Sequence, residues 1–285
     1  MTGAALLPDG LVDFARAAGG RPLCLVRILD VRGSVPRGTD AALLVGEHGF
    51  AGTIGGGHLE YEAIRYARKL LRQPAEEDAD APAHTRRFAL GPSLGQCCGG
   101  SVELGFSLLR DPAAALPMLA AMEPRPHQLW LYGAGHVARA LVHVMLPLPF
   151  LIRWIDTRED VFPHPLPPQV EPVQTDDPPS EAACAPPGAL HLIMTHSHAL
   201  DFDIVRAVLE RGGGVYCGLI GSATKRTTFE RRLRARGMDD ALIARLTCPV
   251  GLPQLTGKLP GIIAVSVAAQ LLEAVEARAG AGQPA

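Results

Sequence analysis

The feature that most constrains this chain is a glycine turn set between a strand and a helix. Residues 127–132, His-Gln-Leu-Trp-Leu-Tyr, read as a strand; Gly133-Ala134-Gly135 follows, and residues 136–145 carry helical spacing. The pattern Gly-x-Gly-x-x-Ala in that setting has a mechanical meaning. Gly133 allows the tight turn, Gly135 lets a ligand approach the backbone, and Ala138 lets helix and strand pack closely. The helix start then offers N–H groups and a partial positive charge to an anion. Asp156 ends the next strand, 21 residues after Gly135, where a ribose-binding acid sits in NAD-binding domains. Taken alone, turn and acid point to a dinucleotide.

The rhythm around the turn sets the domain organisation. From residue 127 onward strands and helices alternate: strands at 150–155, 190–195 and 215–220, helices at 200–211, 224–236 and 261–278. Such alternation builds a doubly wound parallel sheet. Residues 160–188 hold many prolines, and their elements are not legible. Before the turn the pattern differs. Strands are expected at 23–31, 41–46 and 49–54, with Gly49 supplying the positive φ of a hairpin turn. A helix at 58–72 buries Leu59, Ala63, Tyr66 and Leu70 on one face. Strands near 85–90 and 101–108 flank a glycine-rich loop, 113–122 form a short helix, and Glu123-Pro-Arg-Pro126 is a seam. The expected class is α/β: a smaller N-terminal α+β domain over 1–122 and a C-terminal Rossmann-type domain over 127–285.

Bulk properties exclude several functions. The formal net charge is −2 with no basic block, so neither nucleic acid nor an anionic membrane surface is indicated. The N-terminus lacks the charged start and long apolar run of a signal peptide. The apolar stretch 141–152 is broken by Pro147 and Pro149, and 262–272 is too short for a bilayer. A cytoplasmic location is expected. None of the six cysteines forms a CxxC pair, and most read as reduced core residues.

Three N-terminal segments combine backbone freedom with chemistry. Arg32 to Gly38 is one. Gly55-Gly56-Gly57-His58 precedes a helix and reads as an anion nest strengthened by the helix dipole. Gln96-Cys97-Cys98 sits among glycines, where N–H groups favour a thiolate suited to metal or sulfur chemistry. In the C-terminal half, His196 and His198 follow a strand, at the edge where doubly wound sheets bind ligands. They share a face if the strand continues, with Asp201 placed to cap the helix, contact ligand or orient a histidine. The HxHxDH spacing of metallo-hydrolases fails here, since Leu200 stands where its Asp belongs. His136 begins the helix after the turn, and Gly221-Ser222 ends another strand with further donors. Lys225, Arg226, Arg231, Arg232, Arg234 and Arg236 make a basic helix that reads as a solvated face or a dock for an acidic partner.

These motifs together resemble the XdhC/CoxI family. The resemblance rests on Gly52-Thr-Ile-Gly-Gly-Gly-His-Leu-Glu60, Gly95-Gln-Cys-Cys-Gly-Gly100 and Gly133-Ala-Gly-His-Val-Ala138. It continues through Thr195-His-Ser-His-Ala-Leu-Asp201, Gly218-Leu-Ile-Gly-Ser222 and Lys258-Leu-Pro-Gly-Ile-Ile-Ala-Val-Ser266. His58 favours the XdhC branch, since the CoxI-type branch is expected to carry cysteine there. The resemblance implies a chaperone for the molybdenum cofactor (molybdopterin), an accessory protein and not an enzyme. Such a protein holds the cofactor while a cysteine desulfurase supplies sulfur, delivers it to apo-xanthine dehydrogenase, and tends to form a homodimer. The cofactor is an anionic pterin phosphate carrying a soft metal. The expected contacts are Cys97 and Cys98 toward molybdenum, with Gln96, Gly55, Gly56, Gly57 and His58 beside them. Gly133, Gly135, His136, Asp156, His196, His198, Gly221 and Ser222 complete the set. The competing reading is an NAD(P)-dependent oxidoreductase built on Gly133, Gly135 and Asp156; no tyrosine has a lysine four residues later to support hydride transfer.

Overall fold

The structure is a computed structural model that describes residues 10–35, 37–73, 84–90, 100–123, 125–213 and 216–281. It divides into two compact units, Met1–Pro124 and Arg125–Ala285.

The first unit holds an antiparallel sheet of β1 (Leu23–Arg32), β2 (Ala42–Val45), β3 (Phe50–Gly52), β4 (His84–Ala89) and β5 (Ser101–Leu109), in the order β3-β2-β1-β5-β4. Among the described residues, α1 (Leu11–Ala17), α2 (Gly57–Leu71) and α3 (Leu116–Met122) flank it. The apolar run of β1 is continuous because each of its faces meets a helical layer. Cys24, Val26 and Ile28 pack with Leu59, Ala63 and Ala67 of α2. Leu23 and Leu25 pack with Leu11 and Ala15 of α1 and Leu119 of α3. The helix α1 escaped the sequence reading.

The hairpin between β2 and β3 corrects one expectation. Gly49 is not among the glycines with positive φ. Its small size has another use: a Cβ at Gly49 would lie 3.2 Å from Cε2 of Phe14, and one at Gly46 would lie 3.2 Å from Leu23 and 3.4 Å from Phe14. The turn is glycine-rich because the Phe14 ring lies against it.

The second unit is a six-stranded parallel sheet. Its strands are β6 (His127–Tyr132), β7 (Phe150–Asp156), β8 (Val170–Gln174), β9 (Leu190–Ile193), β10 (Tyr216–Leu219) and β11 (Leu246–Thr247). The order β11-β10-β9-β6-β7-β8 is the 3-2-1-4-5-6 arrangement of dinucleotide-binding folds, and it reverses direction between β6 and β9. The helices are α4 (His136–Met145), α5 (Pro178–Cys184), α6 (His198–Arg211), α7 (Ala223–Ala235), α8 (Asp240–Ile243) and α9 (Pro260–Ala281). Strand residues alternate between two cores. Leu129, Leu131 and Trp154 meet α4 and α9 on one face; Trp130, Tyr132 and Ile155 meet α6 and α7 on the other. Both faces are covered, as a doubly wound sheet requires. Within the proline-rich stretch, prolines stand at the N1/N2 positions of α5, where a missing N–H costs nothing.

The last helix is longer than its apolar stretch suggested. Pro260–Arg278 reaches the length and composition of a membrane span. Its stripe of Ala264, Val267, Ala268, Leu271 and Val275 nevertheless lies in the core shared with α4, which is the use this fold makes of it. Ser266 and Gln270 of α9 also hold the segment after β11: Ser266 Oγ accepts from the Leu252 amide at 2.7 Å, and Gln270 Oε1 from the Gly251 amide at 2.8 Å. Cys24, Cys217 and Cys248 are buried. Burial pushes the Cys24 and Cys217 thiols up to about 12, so they pack as apolar groups.

Candidate functional site

The glycine turn after β6 is strapped from below by β7. The Gly133 amide donates to Ile155 O at 2.7 Å, and Trp154 Nε1 donates to Gly133 O at 2.9 Å. Gly133 has φ +104°, and a Cβ there would sit 2.4 Å from Met194 O. No other residue fits. At Gly135 the reverse holds, with nothing within 4 Å of an added Cβ. Open space lies over the second glycine, where a ligand's anionic group approaches in this fold.

Asp156 takes part in the strapping. Its Oδ2 accepts from the Ala134 amide at 2.7 Å and from Arg158 Nη2 at 2.9 Å. Its Oδ1 accepts from the Arg158 amide at 3.0 Å and from Arg158 Nε at 2.9 Å. A carboxylate has about four acceptor positions, and the side chain is buried. Burial alone would raise this carboxyl, but the Arg158 guanidinium and the Arg158 and Ala134 amides outweigh it and hold the pKa below the usual value. The acid that the sequence offered for a ribose is spent on the turn itself. Arg158, half exposed, is the outward-facing group at this strand end.

Three helices of the second unit begin directly beyond the carboxyl ends of β6, β9 and β10, and they differ in one respect. Ser197 caps α6 by accepting from the Leu200 amide, and Ser222 caps α7 by accepting from the Lys225 amide. Gly135 at the start of α4 has no side chain to do so. The first-turn amides of α4 have no intrahelical acceptor, so they stay available to a ligand, with His136 exposed beside them.

Beside the turn, Tyr132, Asp156, Pro178, Thr195, His196 and Leu200 are among the residues lining a shallow crevice too tight to hold a ligand as it stands. His196 thus meets the Gly133 side of the edge. The strand β9 ends at Ile193 and α6 starts at His198, so His196 and His198 do not lie on one strand face as a continued strand would place them. Among the described residues there is no group of three or more His, Cys, Asp or Glu that could hold a metal ion.

Asp201 does not orient a histidine. It is fully buried and accepts from the Thr195 amide at 3.0 Å, Thr195 Oγ1 at 2.7 Å and Lys225 Nζ at 2.6 Å. Lys225 also donates to Ile220 O at 3.1 Å. This pair ties the loop after β9 to the loop after β10. Gly221 makes room for it, since a Cβ there would meet Lys225 Cδ at 2.6 Å. The sequence reading counted Lys225 in a solvated basic face; nothing local marks it as the buried one. The rest of that helix is largely satisfied within the fold. Arg226 and Arg234 pair with Glu230 or Asp240, and Arg232 and Arg236 stack on Phe202.

In the first unit, the loop Gly52 to Gly57 is filled by its own chain. Glu60 Oε2 accepts from Thr53 Oγ1 at 2.6 Å, the Ile54 amide at 3.0 Å and the Gly56 amide at 3.2 Å. The Gly55 amide donates to Thr53 Oγ1 at 3.1 Å. The nest geometry inferred from Gly55, Gly56 and Gly57 exists, with a carboxylate from α2 as its anion. His58 is exposed and lies 3.9 Å from Glu62. Gln96, Cys97 and Cys98 lie outside the described residues.

A Rossmann-type unit with an open, uncapped first helix, joined in sequence to a sheet-and-helix unit, places the chain by its architecture in the dinucleotide-fold class. Residues 129–271 match the XdhC Rossmann domain, and residues 16–78 match the XdhC and CoxI family. The chain belongs to the XdhC family, which is a family of accessory proteins. It is 31% identical over 259 residues to the uncharacterized protein YqeB of Escherichia coli strain K12, covering 88% of this chain and 43% of YqeB. The chain therefore spans less than half the length of that relative. Its fold is similar to the crystal structure of a xanthine dehydrogenase from Bacillus halodurans, with a TM-score of 0.77, 20% identity, and coverage of 96% of this chain and 98% of that one.

Proposed function

We propose that this protein is a molybdenum cofactor-binding chaperone that holds the cofactor for sulfuration and passes it to apo-xanthine dehydrogenase. Membership of the XdhC family supports the general role in xanthine dehydrogenase maturation. The observation that carries the finer reading is the contrast at the β6–α4 edge. The α4 amides are uncapped over open space at Gly135. The one acid placed for a ribose already accepts four hydrogen bonds. Such an edge suits an anionic group and leaves a ribose diol without its acceptor. The phosphate of the pterin fits it.

In this reading Gly133 and Gly135 shape the phosphate seat, and His136, His196, His198, Gly221 and Ser222 supply polar contacts along the same edge. Asp156 acts by fixing the turn. Cys97 and Cys98 offer thiolates to the soft metal, and Gln96 and His58 are further contacts of this reading, while the loop of Gly55, Gly56 and Gly57 already holds Glu60 as its anion. The cofactor supplies the redox centre that the target enzyme uses; the chain's own task is to bind, shield and orient it. A cysteine desulfurase, apo-xanthine dehydrogenase and a second copy of this chain are the proposed partners, in the cytoplasm.

The strand order favours a second reading, an NAD(P)-dependent oxidoreductase, and one experiment separates the two. The protein is purified from cells with and without molybdenum cofactor synthesis, and bound pterin and NADH binding are measured. The chaperone reading expects pterin in the first preparation and no tight NADH binding in either. Pterin-free protein in both, together with NADH binding, would sink it. The double substitution Cys97→Ala and Cys98→Ala tests the thiolate part separately, since unchanged cofactor retention and unchanged enzyme activation would remove it.

A further inference from the structure

The first unit contains a second feature that the cofactor edge does not use. At the end of its sheet, where the β2–β3 hairpin turns, a cavity of about 480 Å³ opens between that hairpin, the C-terminal end of α1 and the last turns of α2. The volume lies within the range of small-ligand sites. Phe14, Leu23 and Leu71 give it apolar walls, and Arg21, Arg68 and Arg72 line it as well. The Phe14 wall is held by shape, because the hairpin touching it has glycine at both Gly46 and Gly49.

Three guanidiniums line this one cavity. Among the described residues, Arg16, Arg32, Arg65, Arg87, Arg153, Arg158, Arg206, Arg226 and Arg234 each have a carboxylate within ion-pair distance. Arg21, Arg68 and Arg72 have none there, like Arg27, Arg139 and other arginines elsewhere in the fold, but these three line one cavity. Two of the three are oriented by backbone carbonyls instead: Arg21 Nε donates to Ala18 O at 2.8 Å and Arg68 Nε to Gly46 O at 3.3 Å. A carbonyl directs a guanidinium without neutralising it, and it leaves the remaining N–H groups for an anion. Cations at the end of α2 also suit its dipole, but that accounts for Arg68 and Arg72 only. Arg21 comes from the segment after α1. Among the described lining residues Glu47 is the one carboxylate, and its partner within ion-pair distance is the neighbouring His48. In a chain of net charge −2, three guanidiniums with no carboxylate partner among the described residues thus line one cavity with apolar walls.

We infer that this cavity is a binding site for a small organic anion, a phosphate or carboxylate carried on an apolar ring. The ring would lie against Phe14, Leu23 and Leu71, and the anionic head would meet Arg21, Arg68 and Arg72. Charge gives the site its preference for anions, and the apolar wall separates such ligands from inorganic phosphate.

The test uses the full chain with 1-naphthyl phosphate as probe, against 1-naphthol and inorganic phosphate as controls. Calorimetry gives the affinities, and ¹H–¹⁵N chemical-shift mapping gives the place. Naphthyl phosphate should bind at least about tenfold more tightly than either control, with shifts at Leu23, Gly46, Gly49 and Arg72. Arg72→Gln, at an exposed position, should weaken it several-fold, and Arg21→Gln with Arg72→Gln by about tenfold or more. A melting curve and amide spectrum like the wild type's show that each variant is folded. Equal affinity for naphthol, equal affinity in the double variant, or shifts confined to residues 133–136 would each overturn the proposal. Loss of the pterin reading would leave this result untouched, because the probe and the variants belong to the first unit alone.

Discussion

Two glycine-rich turns in this molecule stand before helices, and their sequences promise the same thing. Gly55-Gly56-Gly57 leads into α2, and Gly133-Ala134-Gly135 leads into α4. In the first, Glu60 reaches back from the helix it precedes and takes the Ile54 and Gly56 amides. In the second, Asp156 comes from a neighbouring strand and takes only the Ala134 amide, leaving Gly135 under open space. Both turns are stabilised by a carboxylate. The difference is where that carboxylate stands: inside the cradle at Glu60, beneath it at Asp156. A glycine loop before a helix is therefore a ligand site only if the chain's own acids leave it empty.

Substitutions can break or sharpen this contrast. The largest effect is expected within the second turn. Gly133→Ala must place a Cβ 2.4 Å from Met194 O at φ +104°, so it should cost about 3 kcal/mol or more. Gly135→Ala meets nothing, and should stay within about 1 kcal/mol while weakening anion binding. Thermal melts that gave the two substitutions similar costs would remove the distinction between a structural and a ligand-facing glycine.

Next comes Glu60→Ala, which strips the first loop of its internal anion. It should cost about 2 kcal/mol by leaving donors unpaired, and it should make melting more responsive to added sulfate than in the wild type. If sulfate helped both proteins equally, the first loop would not be a latent cradle. A smaller effect than that of Glu60→Ala is expected for Asp156→Asn, about 1–2 kcal/mol at pH 7 from weakened bonds to Ala134 and Arg158. The folded pKa of Asp156 lies below its ordinary value, so its contribution is present above the unfolded pKa and is lost as pH falls through the folded one. The gap between wild type and variant in denaturant titrations should hold from pH 7 to about pH 5 and close below about pH 4. A gap independent of pH would mean that the charge of Asp156 does not matter.

The same contrast explains what was legible in the sequence. The bounds of β6 and α4 follow from local period and turn chemistry, and the structure places them where that chemistry does. Asp156 was legible as a position but not as a role, because its direction depends on Arg158 and on the amide of Ala134, which lies on another segment. Gly49 misled for a similar reason. Its value comes from the Phe14 ring, which a turn rule does not contain. The helix α1 that carries Phe14 went unread, as did α8 and the two-residue strand β11. Lys225 looked like five other cations of its helix. Only Asp201, on a different helix, and the missing side chain of Gly221 bring it inside.

That buried pair has a consequence for how the second unit opens. Thr195 in the loop after β9 and Lys225 in the first turn of α7 are joined through one carboxylate. Releasing α7 would strand the negative charge of Asp201 in an apolar interior, and releasing Thr195 would undo the partner of Lys225. The two successive strand–helix repeats are thus welded into one cooperative block at their ligand-facing end. The Thr195 amide is accordingly expected to exchange with solvent on the slow clock of α7, although it sits at the margin of a loop.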